Sequence, residues 1–321
     1  MKELLKNAFQ KLNNANKVAI FTHANVDGDA IGSAFAFYFY LKGLNKQVDV
    51  FTKTTIPSQL RFLGVEDKLN KKTCNKYDLA IAVDCATLDM MNTYSEEFFK
   101  VEDKIVFDHH ASNSHYANLN IVDPVSSSAC ELIAEFFIQN NVELTNQIAT
   151  FLLAGIITDS GGFRFSCTSK RTMEIVGKLI SDYDIEISTV MASIFESEEP
   201  SYLDLYREAI NNTKLMFDNK VAIITIPNKF YQSTGIDPNS AKNLTRIGTE
   251  IKGVLVTALI AEVEPNLSKV SFRSRLGYDC SECAKVFGGG GHKQASGCKI
   301  YGNLYDTTER VIKSITDGFV C

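Results

Sequence analysis

Residues 22–29 read Thr-His-Ala-Asn-Val-Asp-Gly-Asp, and the organisation of the chain follows from this stretch. The apolar residues 18–21 before it predict a buried strand. The mostly apolar residues 30–38 after it predict a helix that packs on a sheet. The quoted stretch is therefore expected to be a tight turn between a strand and a helix.

The turn carries one imidazole and two carboxylates, on His23, Asp27 and Asp29. Hard divalent cations favour carboxylate oxygens, and imidazole extends the choice toward manganese. Gly28 is expected to let the turn fold tightly enough for both carboxylates to point toward neighbouring positions. A helix N-cap formed by Asp27 or Asp29, with His23 incidental, accounts for this stretch equally well.

The composition indicates a globular protein of two domains. The chain has 321 residues, more than one average domain, and 45% of them are hydrophobic, which suffices for a sizeable core. No apolar run is long enough to span a membrane, and the first residues show no signal peptide. A cytoplasmic protein without a membrane partner is therefore expected. Reduced, mostly core thiols are expected for the eight cysteines, Cys74, Cys85, Cys130, Cys167, Cys280, Cys283, Cys298 and Cys321.

The charge distribution is uneven along the chain. The net charge of -5 argues against a protein that coats long nucleic acid. Residues 265–300 depart from this average, because the only acids there are Asp279 and Glu282, whereas the basic residues are Lys269, Arg273, Arg275, Lys285, Lys293 and Lys299. A local positive patch in an acidic chain suits a small anionic ligand better than a polymer.

Short apolar strands alternate with helices in the first half of the chain. Strands are predicted over residues 17–22, 47–51, 78–83 and 104–107, and helices over 3–15, from the first turn to 43, 127–140, 145–157 and 170–182. This alternation is typical of an α/β fold with a doubly wound parallel sheet. Ligands of such sheets bind at the carboxyl ends of the strands, which is where the sequence places His23 to Asp29, Asp84 and Asp108-His109-His110.

The pattern changes in the second half of the chain. Residues 1–185 are predicted to form one domain, 186–213 a helical linker broken at 196–200, and 214–321 a second, smaller α/β domain. The smaller domain is expected to contain strands over 220–226, 254–261 and 269–275 and a helix over 280–286. A flexible glycine loop at 288–292, a final strand and a final helix follow.

The order and spacing of these motifs resemble the DHH phosphoesterase superfamily, which is named for Asp-His-His. The motifs match at His23-x-x-x-Asp27-x-Asp29, Asp84, Asp108-His109-His110 and Asp159. Residues 288–292, Gly-Gly-Gly-Gly-His, resemble the glycine-rich motif of the substrate-binding domain associated with that family. The resemblance covers nearly the whole chain. Its two-domain length is similar to that of the nanoRNase and 3′,5′-bisphosphate nucleotidase group (NrnA type).

The resemblance implies a centre of two divalent cations, with manganese favoured and magnesium or cobalt as alternatives. His23, Asp27 and Asp84 would hold one cation, and the other would be held by Asp29, Asp84, His109 and Asp159, so that Asp84 bridges them. Asp108 would orient a histidine, and His110 would contact the scissile phosphate or the leaving oxygen. For single motifs, a strand-end cap at Asp84 and a structural pair at His109 and His110 remain the alternatives.

A second group of residues is assigned to substrate binding. Arginine forks bind phosphate at two points, and consecutive glycines present backbone N–H groups to an anion. The candidate substrate-binding residues are therefore Arg273, Arg275, Gly289, Gly290 and His292. A glycine turn with solvated arginines is the alternative. Asn113 and Arg164 lie beside catalytic motifs, and contact with substrate and a structural role are equally expected for each.

The cysteines offer one further alternative. Cys280-Ser281-Glu282-Cys283, with His292 and Cys298, could be imagined as a zinc site, but a single CxxC is weak evidence for one.

These assignments predict a metal-dependent phosphodiesterase with its cleft between the domains. By resemblance, it degrades oligonucleotides of about two to five nucleotides, including linear dinucleotides, to mononucleotides and dephosphorylates adenosine 3′,5′-bisphosphate to AMP. Short oligonucleotides and nucleotide bisphosphates are the expected partners; long nucleic acid is not, and a homodimer is left open. The alternatives are a manganese-dependent inorganic pyrophosphatase of the same superfamily and a nucleotide-binding regulator without turnover.

Overall fold

The computed structural model describes residues 1–275 and 277–318, with the side chains of Asn239 and Lys242 outside the description. The chain divides into two compact units, Met1–Glu198 and Glu199–Cys321. They are called the first unit and the second unit below. Cys321, one of the expected reduced thiols, lies outside the described residues.

A parallel sheet forms the centre of the first unit. Its strands are β1 (Lys17–Phe21), β2 (Gln47–Phe51), β3 (Leu79–Val83), β4 (Asp103–Asp108) and β5 (Leu119–Val122), in the order β2-β1-β3-β4-β5. Ile20 and Ile81 pack into a core on one face, and Phe21 and Ala82 into a core on the other. Burial of both faces explains the continuous apolar runs, and the predicted doubly wound α/β fold is confirmed. β5 had no counterpart among the predicted strands.

Helices cover this sheet. They are α1 (Lys2–Asn14), α2 (Gly28–Gly43), α3 (Ser95–Lys100), α4 (Ala129–Gln139), α5 (Asn146–Asp159), α6 (Lys170–Tyr183) and α7 (Ile187–Phe195), with 3₁₀ turns at Ser58–Leu63, Glu66–Lys68 and Leu88–Tyr94. α2 is buried along most of its length, and its Phe37 ring lies 4.9 Å from the ring of Phe107 on β4. Such a buried phenylalanine stabilises the fold by about 1.5–3 kcal/mol.

Glycines allow α2 and α5 to approach each other closely. A Cβ atom on Gly28 would collide with the side chain of Thr158, and one on Gly32 would collide with the carbonyl oxygen of Phe151. Gly28 was expected to permit a tight turn, but its role here is this helix contact. The contact brings the start of α2 next to the end of α5, and therefore Asp29 close to Asp159.

The second unit is built on a mixed sheet. Its strands are β6 (Thr213–Met216), β7 (Val221–Ile226), β8 (Val256–Glu264), β9 (Leu267–Ser274), β10 (Gly290–His292) and β11 (Ala295–Tyr301), in the order β10-β11-β9-β8-β7-β6. β7 and β8 are parallel, and the other neighbours are antiparallel. The helices are α8 (Tyr202–Asn211), α9 (Asn228–Thr234), α10 (Arg246–Thr249), α11 (Cys280–Lys285) and α12 (Leu304–Asp317), with a 3₁₀ stretch at Pro238–Thr245.

The structure corrects the flexible loop expected at residues 288–292. Gly290–His292 is β10, which pairs with β11 so that Gly290 lies opposite Gly297 and His292 opposite Ala295. Pairing engages part of the backbone that was expected to be available to an anion. The strand is not apparent from local sequence because β11, rather than glycine itself, holds it extended.

The predicted linker over residues 186–213 is divided between the two units. α7 packs on the first unit through Val190 and Ile194, whereas α8 packs on the second through Leu205 and Ala209. The two helices are separated by a break around Pro200, which matches the predicted interruption at 196–200. Among the described residues, no helix combines the length and the apolar character needed to cross a membrane.

Candidate metal centre and active site

Strand and helix ends position the acidic and histidine side chains of the first unit. His23 and Asp84 follow β1 and β3, and Asp108 ends β4, all at the carboxyl edge of the sheet. Asp27 caps α2, Asp29 lies in its first turn, and Asp159 is the last residue of α5. Parallel topology thus gathers these groups from distant parts of the sequence at one edge.

His23, Asp27 and Asp84 form one group of ligand atoms that a single cation could join. The Nε2 atom of His23 lies 3.3 Å from Asp84 Oδ2 and 3.7 Å from Asp27 Oδ1. Asp27 Oδ1 also accepts the backbone N–H groups of Asp29 and Ala30, each at 3.1 Å. Asp27 therefore caps α2, as the N-cap alternative predicted, and it also belongs to this group of candidate ligands.

A second group surrounds His109. Its Nε2 atom lies 3.6 Å from Asp84 Oδ1, 3.9 Å from Asp29 Oδ2 and 3.2 Å from Asp159 Oδ2. Asp29, Asp84 and His109 offer ligand atoms close enough for one cation. The two oxygens of Asp84 thus face different groups, Oδ2 toward His23 and Oδ1 toward His109.

Asp84 is the least satisfied residue of this cluster. Only 3% of it is exposed, and its Oδ1 atom is buried without a hydrogen-bond partner. Its backbone has a φ of 54°, a strained left-handed conformation that aspartate tolerates better than most residues. An unsatisfied buried carboxylate oxygen is costly, and a divalent cation would satisfy it. The donor set, carboxylates with imidazole, fits such a cation.

The electrostatics of the cluster indicate the same need for positive charge. Burial, reinforced by the charge of Asp84, raises the pKa of Asp29 to about 7. Burial and the charge of Asp29 raise the pKa of Asp159 well above its usual value. Burial would lower the pKa of His23, but hydrogen bonds with Asp27 and Asp84 outweigh it and raise that pKa to about 10. Cations would take over the role of these protons.

Main-chain groups of residues 126–130 form hydrogen bonds with two of the candidate ligands, Asp29 and His109. The backbone N–H groups of Ala129 and Cys130, at the start of α4, donate to Asp29 Oδ2 and Oδ1 at 2.7 and 2.8 Å. The carbonyl oxygen of Ser126 lies 3.3 Å from His109 Nδ1, which leaves Nε2 to face the carboxylates. Sequence reasoning missed these contacts; the only signal was the N-terminus of the predicted helix at 127–140.

Asp108 is directed toward the next residues of its own loop. Its Oδ1 atom accepts from the backbone N–H of His109 at 2.9 Å and bonds His110 Nδ1 at 2.7 Å. Burial would lower the pKa of His110, but the bond with Asp108 outweighs it and raises that pKa to about 9. The imidazolium form of His110 is therefore favoured at neutral pH in the metal-free protein.

The hydrogen bonds of Asn113 lie inside the protein, and its contact with substrate stays a prediction. Its amide nitrogen donates to Asp108 Oδ2 at 2.6 Å and to the carbonyl oxygen of Cys85 at 3.2 Å, and its oxygen accepts the N–H of His115 at 2.8 Å. Both amide N–H groups are thus used. Asn113 links the loop after β3 to the loop after β4.

Arg164 is exposed, and part of its guanidinium is engaged nearby. Its Nε donates to the carbonyl oxygen of Gly161 at 2.6 Å, and its guanidinium lies 5.8 Å from the centre of the Phe195 ring. These contacts suit the structural alternative for Arg164. Contact with substrate stays a prediction.

The expected arginine pair in the second unit does not share a strand. Arg273 lies on β9, half-buried, with Nη1 donating to the carbonyl oxygen of Phe272 at 2.9 Å, and burial lowers its pKa. Arg275 lies beyond the end of β9 and donates to the carbonyl oxygen of Thr249 at 2.8 Å. The strand predicted over residues 269–275 therefore ends at Ser274, before Arg275.

The cysteine pair belongs to the core of the second unit. The hydroxyl of Ser296 lies 3.3 Å from Cys280 Sγ, and that of Tyr278 lies 3.1 Å from Cys283 Sγ. Both thiols are buried. In the part of the chain that the structure describes, the groups able to hold a metal contain no cysteine, so the zinc alternative has no support.

Comparison with known proteins assigns the family. Residues 17–156 match the DHH family, N-terminal domain, and residues 218–317 match the DHHA1 domain. The chain therefore belongs to the DHH family, whose phosphoesterases are hydrolases that depend on divalent metals. The family resemblance of the motifs is confirmed.

Two relatives bear the name bifunctional oligoribonuclease and PAP phosphatase NrnA. The one from Thermus thermophilus is 28% identical over 303 residues, which cover 94% of this chain and 89% of the relative. The one from Bacillus subtilis is 25% identical over 301 residues, or 93% of each chain. An exopolyphosphatase-related protein from Bacteroides fragilis shares the fold with a TM-score of 0.92 and 22% identity, over 99% of this chain and 96% of that one.

Proposed function

We propose that this protein is a phosphodiesterase that uses two divalent cations, with manganese preferred, to degrade short oligonucleotides and to remove the 3′-phosphate of adenosine 3′,5′-bisphosphate. The names of the relatives from Thermus thermophilus and Bacillus subtilis support both activities. Both reactions release a 3′-oxygen from one phosphorus, so one site suffices for them.

Asp84 carries this proposal. It is buried between two groups of ligands, and its two oxygens face His23 and His109 separately. A carboxylate in that position suits a bridge between two cations, with His23 and Asp27 on one side and Asp29, His109 and Asp159 on the other. When bound, such a pair of cations stabilises the charge on the phosphoryl group and lowers the pKa of water.

His110 is proposed as the group that assists the leaving oxygen. Asp108 holds its Nδ1 atom and favours the imidazolium form, so a proton is present to be donated to a developing negative charge. Asn113 in turn holds Asp108. The order of these bonds supports His110 as the reacting residue, with Asp108 and Asn113 as the residues that position it.

Substrate binding by Arg273, Arg275, Gly289, Gly290 and His292 is proposed for the part of the substrate beyond the scissile bond. The guanidinium groups support this role through their charge, and the basic excess of residues 265–300 reinforces it. We also propose a cytoplasmic location, which the free thiols of the described cysteines support.

A substrate panel tests the proposed function. The purified full chain is incubated with Mn²⁺ and, separately, with a dinucleotide, a pentanucleotide, adenosine 3′,5′-bisphosphate and pyrophosphate. Mononucleotide release from the first two and AMP release from the third are expected. Turnover of pyrophosphate alone would select the pyrophosphatase alternative, and Mn²⁺ binding without any turnover would select the regulator.

A further inference from the structure

One charged network outside the cation ligands contacts the segment that holds them. Residues 126–130 support His109 through the carbonyl oxygen of Ser126 and Asp29 through the N–H groups of Ala129 and Cys130. These two ligands belong to the same candidate cation group. Any shift of this short segment would therefore move two ligands of one cation together.

Glu131 anchors the segment from its C-terminal side. It is 0% exposed, and its Oε2 atom accepts from the Ser127 N–H at 3.1 Å, the Ser127 hydroxyl at 2.5 Å and the Thr172 hydroxyl at 2.7 Å. Its Oε1 atom accepts from Arg171 Nε at 2.8 Å. A carboxylate this deeply buried is stable only when it is paired and hydrogen-bonded, and here both oxygens are engaged.

Arg171, near the start of α6, joins the two ends of the segment. Besides Glu131, its Nη2 atom donates to Asp123 Oδ2 at 2.8 Å and to the hydroxyl of Ser126. Its Nη1 atom lies 3.5 Å from Glu135 Oε2. The planar guanidinium therefore holds Asp123, Ser126 and Glu131, which lie just before, at the start of and just after residues 126–130. Lysine, with a single ammonium, could not reach all of them at once.

We propose that Arg171 and Glu131 are positioning residues for the cation held by Asp29, Asp84, His109 and Asp159. This inference rests on the proposed two-cation function. The pair touches neither substrate nor cation. It fixes the main-chain groups that orient Asp29 and His109, and outer partners of this kind commonly change metal affinity by about 10–100-fold when they are lost.

The test is calorimetric titration of the metal-free full chain with Mn²⁺, well below the unfolding temperature. Arg171→Met and Glu131→Gln are expected to lower the Mn²⁺ affinity of one of the two sites by about 10–100-fold. The affinity of the other site should stay within about threefold of wild type. Arg171→Lys keeps the charge but not the planar fork, so its Mn²⁺ affinity at the affected site should lie between that of these variants and that of wild type. Lys11→Met is the matched control, because Lys11 forms a similarly half-buried ion pair with Asp103 in the same unit.

The control separates positioning from simple loss of stability. Lys11→Met should lower the unfolding temperature without changing either Mn²⁺ affinity. The assignment would be overturned if Arg171→Met and Glu131→Gln kept the wild-type Mn²⁺ affinities, or if they lowered the affinity of both sites equally. If Arg171→Met does not fold, Arg171→Lys decides by the same criterion. Wild type that binds no Mn²⁺ would instead refute the proposed function, and with it this inference.

Discussion

The two units present their candidate functional residues in opposite ways. In the first unit, Asp29, Asp84 and His109 are buried, and both carboxylates lie within ion-pair distance of His109 Nε2. In the second unit, Arg275 is exposed and Arg273 half-buried, and both guanidinium groups donate to main-chain carbonyls. Buried charges require partners, whereas an exposed arginine such as Arg275 is stable in water alone. The unsatisfied carboxylate of the first unit therefore indicates a cation site, whereas the arginines of the second unit indicate only a preference for anions.

Substitutions in the two units are therefore expected to have different effects on activity. Changes in the first unit should affect every substrate, because the cluster acts on the reacting phosphate. Changes in the second unit should affect substrates according to their length, because the arginines are proposed to bind the part of the substrate beyond the scissile bond.

Asp84→Asn should abolish the chemistry without harming the fold. Turnover of all substrates is expected to fall by about three orders of magnitude or more, since one change removes a ligand from both cations. The metal-free variant should unfold within a few degrees of wild type, because the charge that is removed is unsatisfied at Oδ1 but paired with His23 at Oδ2, and because asparagine tolerates a φ of 54°. Turnover assays and thermal unfolding measure the two effects.

Asp78→Asn provides the control for this variant. Asp78 lies at the opposite end of β3, where its carboxylate accepts the N–H groups of Asn16 and Lys17. Turnover of Asp78→Asn should stay within about twofold of wild type. Comparable losses in the two variants would show that any charge change beside β3 impairs the enzyme, and would contradict the assignment of Asp84.

Arg273→Ala should change substrate preference rather than abolish activity. Loss of the charged fork should cost about 1.5–3 kcal/mol, or roughly ten- to a hundredfold in kcat/KM for dinucleotides. Twenty-nucleotide strands, which are expected to be poor substrates already, should change little. A ladder of substrates from two to twenty nucleotides measures the effect.

Lys299→Ala is the matched control for Arg273→Ala. Lys299 is an exposed cation on β11, opposite Lys269 at the other end of the ladder with β9. Its loss should leave the length profile unchanged. If both variants lower turnover at every length by the same factor, the second unit contributes general charge and no specific contact.

Asn113→Ala tests whether that amide positions His110 or binds substrate. We expect kcat to fall by about tenfold and KM to stay within about threefold, because the variant loses the bond to Asp108 but no substrate contact. Initial-rate kinetics with a dinucleotide separate the two constants. An increase in KM at constant kcat would restore the substrate-binding interpretation.

The pH dependence of stability should reverse when the cations bind. In the metal-free protein, the raised pKa values of Asp29, about 7, and His23, about 10, mean that the folded state binds protons which the unfolded chain releases. Asp29 loses this stabilisation between about pH 4 and 7, and His23 between about pH 6.5 and 10. The metal-free unfolding temperature should therefore fall by a few degrees from about pH 5 to 8.5.

Bound Mn²⁺ should give the opposite trend, because it requires ionised carboxylates and neutral imidazole. Unfolding scans with a chelator and with Mn²⁺ over the same pH range compare the two states. A metal-free unfolding temperature that rises over that range would contradict the charge distribution described for the cluster.

Most of the first unit could be predicted from sequence. β1, β3 and the centre of β4 are continuous apolar runs because both faces of the sheet are buried, and each polar motif of the site follows such a run. Contacts between distant residues could not be predicted. The N–H groups that hold Asp29 are a hundred residues away in sequence, and β10 exists only because β11 pairs with it. For Asn113, spacing alone does not reveal whether the amide points inward or toward solvent.

The central claim is that one buried carboxylate, Asp84, joins two cations. Calorimetric titration of wild type, Asp84→Asn and Asp78→Asn with Mn²⁺ tests it most directly. Two ions per chain are expected for wild type and Asp78→Asn, and loss of high-affinity binding at both positions is expected for Asp84→Asn. Two ions bound to Asp84→Asn with nearly the wild-type affinity would contradict the bridge and the two-cation function built on it.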